Sequence, residues 1–191
     1  MNSPIELLNG WIADAGGGSR LEAIAMCLAT ADARARPSAR MVLLRGLDDR
    51  GLRFYTSYGS RKAEDLAANP FAAVTFYWPW IERQARVEGE VKQLAESESD
   101  EYFAARPRGH QLAAWASEQS AEIESHALLS ERYEHFEQRF EGEEVPRPHS
   151  WGGYLLVPDY FEFWQGRPNR MHERTAYERR GGDWRRRLLQ P

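Results

Sequence analysis

Arg40 and Arg45 bracket the apolar run Met41-Val42-Leu43-Leu44, and a second pair of cations, Arg61 and Lys62, follows Ser60 where a helix should begin. Free backbone N–H groups at a helix start, with two cations beside them, suit a phosphate. The same residues also suit a capped helix whose cations are in water. Tyr102, Arg106 and His110 recur at i, i+4 and i+8, one face of a helix, approximately so because Pro107 intervenes. That face reads either as a second phosphate site or as an ordinary amphipathic surface. Trp164 is followed by Arg170, His172 and Arg174. Strand alternation would point the last three the same way, and such a row repels itself unless an anion or ligand lies against it.

Other chemistries lack their residues. There is no G-x-S-x-G elbow, no G-x-G-x-x-G turn and no P-loop. The histidines (His110, His126, His135, His149 and His172) include no H-E-x-x-H pair, and no metal is expected. The lone cysteine, Cys27, lies within Ile24-Ala25-Met26-Cys27-Leu28 and reads as a buried core thiol. It allows no internal disulfide, which makes a cytoplasmic setting the default.

The elements that must carry these residues follow from periodicity. Ser3-Pro4 starts a helix, with Leu7, Leu8, Trp11 and Ile12 at helical spacing and Gly16-Gly17-Gly18 as its end. Residues 24–31 read as a buried strand, 38–47 as a second and 52–56 as a third after the turn Asp48-Asp49-Arg50-Gly51. A short helix covers 60–68 and stops at Asn69-Pro70; strands cover 71–78 and 84–94. Helices then follow over 97–105, from Pro107 to about 116, and over 125–140. Beyond the linker Pro146-Arg147-Pro148, short strands are expected at 153–157, 160–164, 174–179 and 183–189. Strands, then helices, then strands, without β-α alternation, argue for an α+β antiparallel sheet or barrel with helices outside it.

At 191 residues, 42% of them hydrophobic, the chain is long enough for one domain with a real core. Net charge is −4, from 25 basic and 29 acidic residues, which argues against general nucleic-acid binding. No apolar run approaches a membrane span, and the first residues lack the basic and apolar regions of a signal peptide.

Several of these stretches resemble one family jointly and in its order: "RMVLLR" at 40–45, "FYTSYGSRKAEDLAANP" at 54–70, "ERQARVEGEV" at 82–91, "YFAARPRGHQLAAWASEQS" at 102–120, "WGGYLL" at 151–156, "EFWQGRPNRMHER" at 162–174 and the closing "WRRRLLQP". From about Ile24 to Pro191 the chain resembles the pyridoxamine 5′-phosphate oxidases. The resemblance implies an FMN-binding split β-barrel, antiparallel and of Greek-key type, assembled as a homodimer with FMN at the subunit interface. One such domain would fill 1–191: a helical segment at 1–23, the barrel core at 24–94, a helical insertion at 95–145 and completing strands at 146–191. Implied FMN contacts are Arg40, Met41, Val42, Leu43, Leu44, Arg45, Tyr55, Thr56, Ser60, Arg61, Lys62, Gln84, Gln119, Ser120, Trp164 and Arg174. The backbone of 41–44 would lie against the flavin with its side chains in the core, and Gln84 would hydrogen-bond the ring edge.

Implied substrate contacts are Arg45, Tyr102, Arg106, His110, Arg170 and His172, the last two orienting the reacting group. The implied reaction oxidises pyridoxamine 5′-phosphate or pyridoxine 5′-phosphate to pyridoxal 5′-phosphate. Dioxygen is the acceptor; hydrogen peroxide is released, and ammonia with it when the amine reacts. Two positions depart from the family pattern. Arg45 stands where lysine is usual, exchanging a compact ammonium for a planar fork, and His110 stands where serine is usual, exchanging a hydroxyl for an imidazole that can still donate to a phosphate. These changes motivate two alternatives: a split-barrel flavin oxidase for another substrate, such as a phenazine precursor, or a protein that binds FMN or pyridoxal phosphate without turnover. The segment ahead of the first strand is short for the family, so closure over the site is expected to be weaker or supplied by another element.

Overall fold

The computed structural model describes residues 3–17 and 20–191. Helix α1 (Pro4–Ala15) starts as its residues direct: the Ser3 hydroxyl accepts from the Glu6 N–H, the Glu6 carboxylate accepts from the Ser3 N–H, and Pro4 takes the first turn. It ends where the Gly16 N–H reaches the Ile12 and Ala13 carbonyls. Gly18, expected to share in that stop, and the leading Met1-Asn2 lie outside the described residues. Leu8 is fully buried, and Trp11 meets Trp78 and Phe163 edge-on. A short helix, α2 (Arg20–Ile24), takes Ile24 out of the expected first strand.

The strands are β1 (Ala25–Ala31), β2 (Pro37–Leu43), β3 (Gly46–Asp48), β4 (Gly51–Ser57), β5 (Phe71–Trp78), β6 (Arg83–Gln93), β7 (Trp151–Gln165), β8 (Glu173–Arg180) and β9 (Asp183–Leu189). They form one sheet, antiparallel at every pairing, in the order β2-β1-β5-β6-β7-β4-β3, with β8 on β7 and β9 on β8. The expected single strand over 38–47 is thus two strands at opposite ends of the sheet. Only Leu44 and Arg45 separate them: the Leu44 N–H donates to Ile24 beside β1, and the Arg45 N–H donates to Arg53 on β4. Two residues can bridge the two ends of a sheet only if it curls until its edges meet, which makes it a barrel split at this seam.

Strand β7 corrects a second expectation. Pro158 suggests a break between two short strands, yet the chain runs on from Trp151 to Gln165 through a bulge, with Gly89 facing Pro158 and Glu88 facing Tyr160. A bulge tolerates the missing proline N–H and bends the strand. One edge of β7 lies along β6; the other serves β4 with its first half and β8 with its second. At Gly89 a Cβ would lie 2.0 Å from the Val157 carbonyl oxygen, so only glycine fits opposite the bulge.

Phe54, Phe76, Trp78, Val87, Leu156 and Phe161 fill the barrel. Alternation on β1 buries Met26, Leu28 and Thr30 and turns Cys27 to the other face, where it is half-buried, not a core thiol. Helices α3 (Arg61–Ala68), α4 (Glu96–Ala104), α5 (Arg108–Ala116) and α6 (His126–Arg139) lie outside the sheet path. A second core of Phe103, Leu112, Phe140, Val145 and Trp151 forms among the later helices and the start of β7. Among the described residues, no helix is long and apolar enough to cross a membrane.

Candidate functional site

A cavity of about 840 Å³ opens between β2, the end of β4, the start of α3, the α4–α5 junction and the Gln119-Ser120 turn. Five of its lining residues are basic (Arg40, Arg45, Arg61, Lys62 and Arg106) and none is acidic. The expected residues Met41, Val42, Leu43, Tyr55, Thr56, Tyr102, His110, Gln119 and Ser120 line it too.

The position of Lys62 follows from its place on α3. The second residue of this helix turns inward, and the side chain is buried, with 7% exposed. Its Nζ donates to Thr56 Oγ1 (2.9 Å), Ser60 Oγ (3.0 Å) and Gln119 Oε1 (3.1 Å). All three acceptors are neutral. Burial, with Arg40 as a neighbouring like charge, pulls the Lys62 pKa down to about 8. Gln119 Oε1 also accepts from Thr56 Oγ1 at 2.7 Å, and Ser120 Oγ accepts from the Arg61 N–H at 3.3 Å. Ser60 does not cap the helix: its hydroxyl donates to the Ser57 carbonyl and receives the lysine, away from the cavity.

Aromatic rings form the opposite wall. Tyr55 stacks on Tyr102 at 3.8 Å, and both lie nearly parallel to Trp151. Gly153 leaves room for this: a Cβ there would come within 2.7 Å of the Tyr55 ring. The Arg106 guanidinium sits 4.5 Å from the Trp151 ring centre, and its Nη1 is buried with no hydrogen-bond partner. Burial and the nearby Arg45 pull Arg106 below the usual arginine range, a trend that Tyr102 opposes. The break between α4 and α5 falls at Arg106-Pro107, so Tyr102, Arg106 and His110 do not share one helix, yet all three reach the cavity.

The run at 41–44 is less buried than its composition implies. Met41 is 64% exposed, Val42 and Leu43 are half-buried, and only Leu44 enters the core, away from the cavity. Alternation on the edge strand β2 turns Met41 outward and Val42 against the core, and Leu44 lies beyond the strand's end.

The remaining expected residues form a separate group. Gln84, Trp164 and Arg174 are in register across β6, β7 and β8. His172 packs its ring 4.6 Å from Trp164 and accepts from the Arg167 N–H at Nδ1. None of these, nor Arg170, lines the cavity of its own chain. The expected row of Arg170, His172 and Arg174 on one strand face does not form. Arg170 ends a 3-10 turn with φ 62°, preceded by Asn169 at φ 57°, and the strand begins only at Glu173. The anion that such a row was expected to need is internal for Arg174, whose guanidinium meets the buried Glu162 carboxylate at 2.8 Å.

The sequence singles out no role for Trp151, Thr30 or Asp65. Thr30 carried a signal, a hydroxyl in phase with Met26 and Leu28 on a buried strand face, and so did Asp65, one turn beyond Arg61. No group of three or more potential metal ligands occurs among the described residues.

Comparisons with known proteins give a consistent picture. A family model described as "Pyridoxamine 5'-phosphate oxidase" matches residues 20–140, and one described as "Pyridoxine 5'-phosphate oxidase C-terminal dimerisation region" matches residues 151–191. A pyridoxine/pyridoxamine 5′-phosphate oxidase of Rubrobacter xylanophilus is 53% identical over 188 residues, covering 98% of this chain and 87% of its own. The solved structure of PhzG from Burkholderia lata, in complex with tetrahydrophenazine-1-carboxylic acid, superposes with a TM-score of 0.94 at 34% identity, covering 100% of this chain and 94% of that one. A pyridoxamine 5′-phosphate oxidase-related, FMN-binding protein from Nostoc punctiforme shares the fold with a TM-score of 0.80 at 17% identity, both chains being covered in full at 100%.

Proposed function

The chain belongs to the pyridoxamine 5′-phosphate oxidase family, and on that premise we propose that it is an FMN-dependent oxidase making pyridoxal 5′-phosphate from pyridoxamine 5′-phosphate and pyridoxine 5′-phosphate. The observation that carries this reading is the cavity itself, with five basic residues, no acidic one and a buried Arg106 Nη1 that no protein group satisfies. A buried donor without a partner favours a ligand that supplies an acceptor. Two phosphates fit such a donor set, one on the cofactor and one on the substrate.

Arg61, Lys62, Thr56 and Ser120 would hold the FMN phosphate, with Arg40 and the backbone of 41–44 along the flavin. Arg45, Tyr102, Arg106 and His110 would clamp the substrate phosphate, and this clamp fixes a near-attack geometry. FMN, when bound, supplies the two-electron acceptor that dioxygen reoxidises with release of hydrogen peroxide. Gln84, Trp164, Arg170, His172 and Arg174 stand apart from this cavity within one chain. A homodimer in which this group faces the cavity of the other copy completes both sites by symmetry. The matched dimerisation region spans all of the group except Gln84. There, Arg170 and His172 would orient the substrate's reacting group. The cytoplasmic setting expected from the lone cysteine belongs to the same reading.

The test is aerobic turnover of FMN-loaded protein with each substrate separately, following pyridoxal 5′-phosphate by absorbance and peroxide in parallel. Product from either substrate is expected. A yellow protein that makes product from neither overturns the substrate assignment. The superposition on PhzG favours one second reading, oxidation of a tricyclic aromatic carboxylic acid, and reduced phenazine carboxylates in the same assay would report it.

A further inference from the structure

Among the described residues, only one carboxylate is ion-paired with a cation of the cavity: Asp65, 3.6 Å from Arg40 Nη2. It lies on the inner side of α3 and its side chain is only 6% exposed. The contact is not a simple pair. Thr30 Oγ1 donates to Asp65 Oδ2 at 2.6 Å and accepts from Arg40 Nη1 at 2.7 Å, and the same Nη1 donates to the Leu28 carbonyl at 3.2 Å. A hydroxyl has one hydrogen to give. Giving it to Asp65 leaves the Thr30 lone pairs to face the guanidinium. Three elements meet here: β1 through Leu28 and Thr30, β2 through Arg40, and α3 through Asp65.

We infer that Asp65, acting through Thr30, is a positioning residue that holds the Arg40 guanidinium in place for an anionic, phosphate-bearing cofactor in the cavity. The inference rests on the reading of Arg40 as an FMN contact. The arrangement holds Arg40 Nη1 on two protein acceptors and Nη2 against Asp65, fixing the guanidinium of a residue that is part of the cavity lining. Burial weakens the charged form of Arg40, Arg61 opposes it, and Asp65 is the group that supports it most. Without Asp65, a half-buried arginine beside Arg61 and Lys62 would turn toward solvent, since like charges at close range repel. The helix that opens with Arg61 and Lys62 therefore also carries the anchor for the cation on the neighbouring strand.

The experiment is titration of apoprotein with FMN, read by quenching of flavin fluorescence, with thermal unfolding measured on the same samples. Asp65→Asn and Thr30→Val should each weaken FMN binding, the former roughly tenfold, while Thr30→Ser, which keeps the hydroxyl, restores it. Each effect should vanish in an Arg40→Ala background, because a positioning residue has nothing left to position. A lowered Tm with unchanged FMN affinity would mean a purely structural role and overturn the inference. So would tighter FMN binding by Asp65→Asn, the sign expected if Asp65 only offsets charge. Full FMN affinity in Arg40→Ala itself would overturn the Arg40 assignment and the inference together. Loss in Arg40→Ala without loss in Asp65→Asn or Thr30→Val overturns the inference alone. Should Asp65→Asn fail to fold, Thr30→Val decides.

Discussion

Lys62 shows how one residue's surroundings set its chemistry. It is buried among three neutral acceptors near Arg40, and its pKa falls to about 8 from the ordinary 10.5. On the proposed reading it would meet an FMN phosphate as an ammonium below about 8; above that it is neutral and the attraction would be lost. FMN affinity should therefore fall as pH rises through about 8, and Lys62→Arg, which stays charged, should flatten the profile. The stability of the apoprotein should move the other way. Between about 8 and 10.5 the unfolded chain holds the Lys62 proton more tightly than the folded one, so stability rises with pH across that window. Fluorescence titrations and thermal melts over pH 7–10 measure both trends. Affinity and apoprotein stability moving in the same direction would refute the assignment.

Among the elements, the β6–β7 ladder decides where the cavity wall and the separate group lie. The bulge at Pro158 lets β7 serve β4 with one half and β8 with the other. Trp151 and Trp164 therefore lie on the same strand but belong to the cavity and the separate group respectively. Gly89 permits the close approach opposite the bulge. Gly89→Ala should cost about 2 kcal/mol of stability, since a methyl pressed against a carbonyl oxygen must push the strands apart. Urea unfolding would show it as a lower midpoint at unchanged slope. A variant as stable as the parent would mean that the ladder yields locally.

For the whole molecule, the central question is whether two groups that do not line one cavity within a single chain make one site. If the homodimer joins them, Arg106→Ala and Arg170→Ala disable different halves of it. Each variant alone should lose turnover, and Arg170→Ala should still bind FMN. Mixed and reassembled, the two should recover about a quarter of parental activity, because half the dimers are hybrids and each hybrid holds one intact site. No recovery on mixing, with hybrid formation confirmed by native mass spectrometry, would place both groups in the same subunit's site.

Much of this protein was legible in the residues themselves. The capping box of α1, the turn before β4, the helix opening at Arg61 and the strand periods of β5 and β6 are local, and short-range sterics and hydrogen bonding dictate them. The cations of the cavity were visible for the same reason, since residue type and spacing carry charge. What only the tertiary structure decided depends on pairing between distant segments. The split of 38–47 into β2 and β3 comes from the sheet curling on itself, which no period along the chain encodes. The continuity of β7 through Pro158 needs β6 alongside it. The sites of Cys27 and Met41 on outward faces follow from which strand edge meets the core, and the link from Thr30 to Asp65 exists only because β1 and α3 are brought together across a sequence separation of 35. Sequence determines what each segment can form; the register between segments determines which side chains meet, because a one-residue slip sends every side chain to the other face.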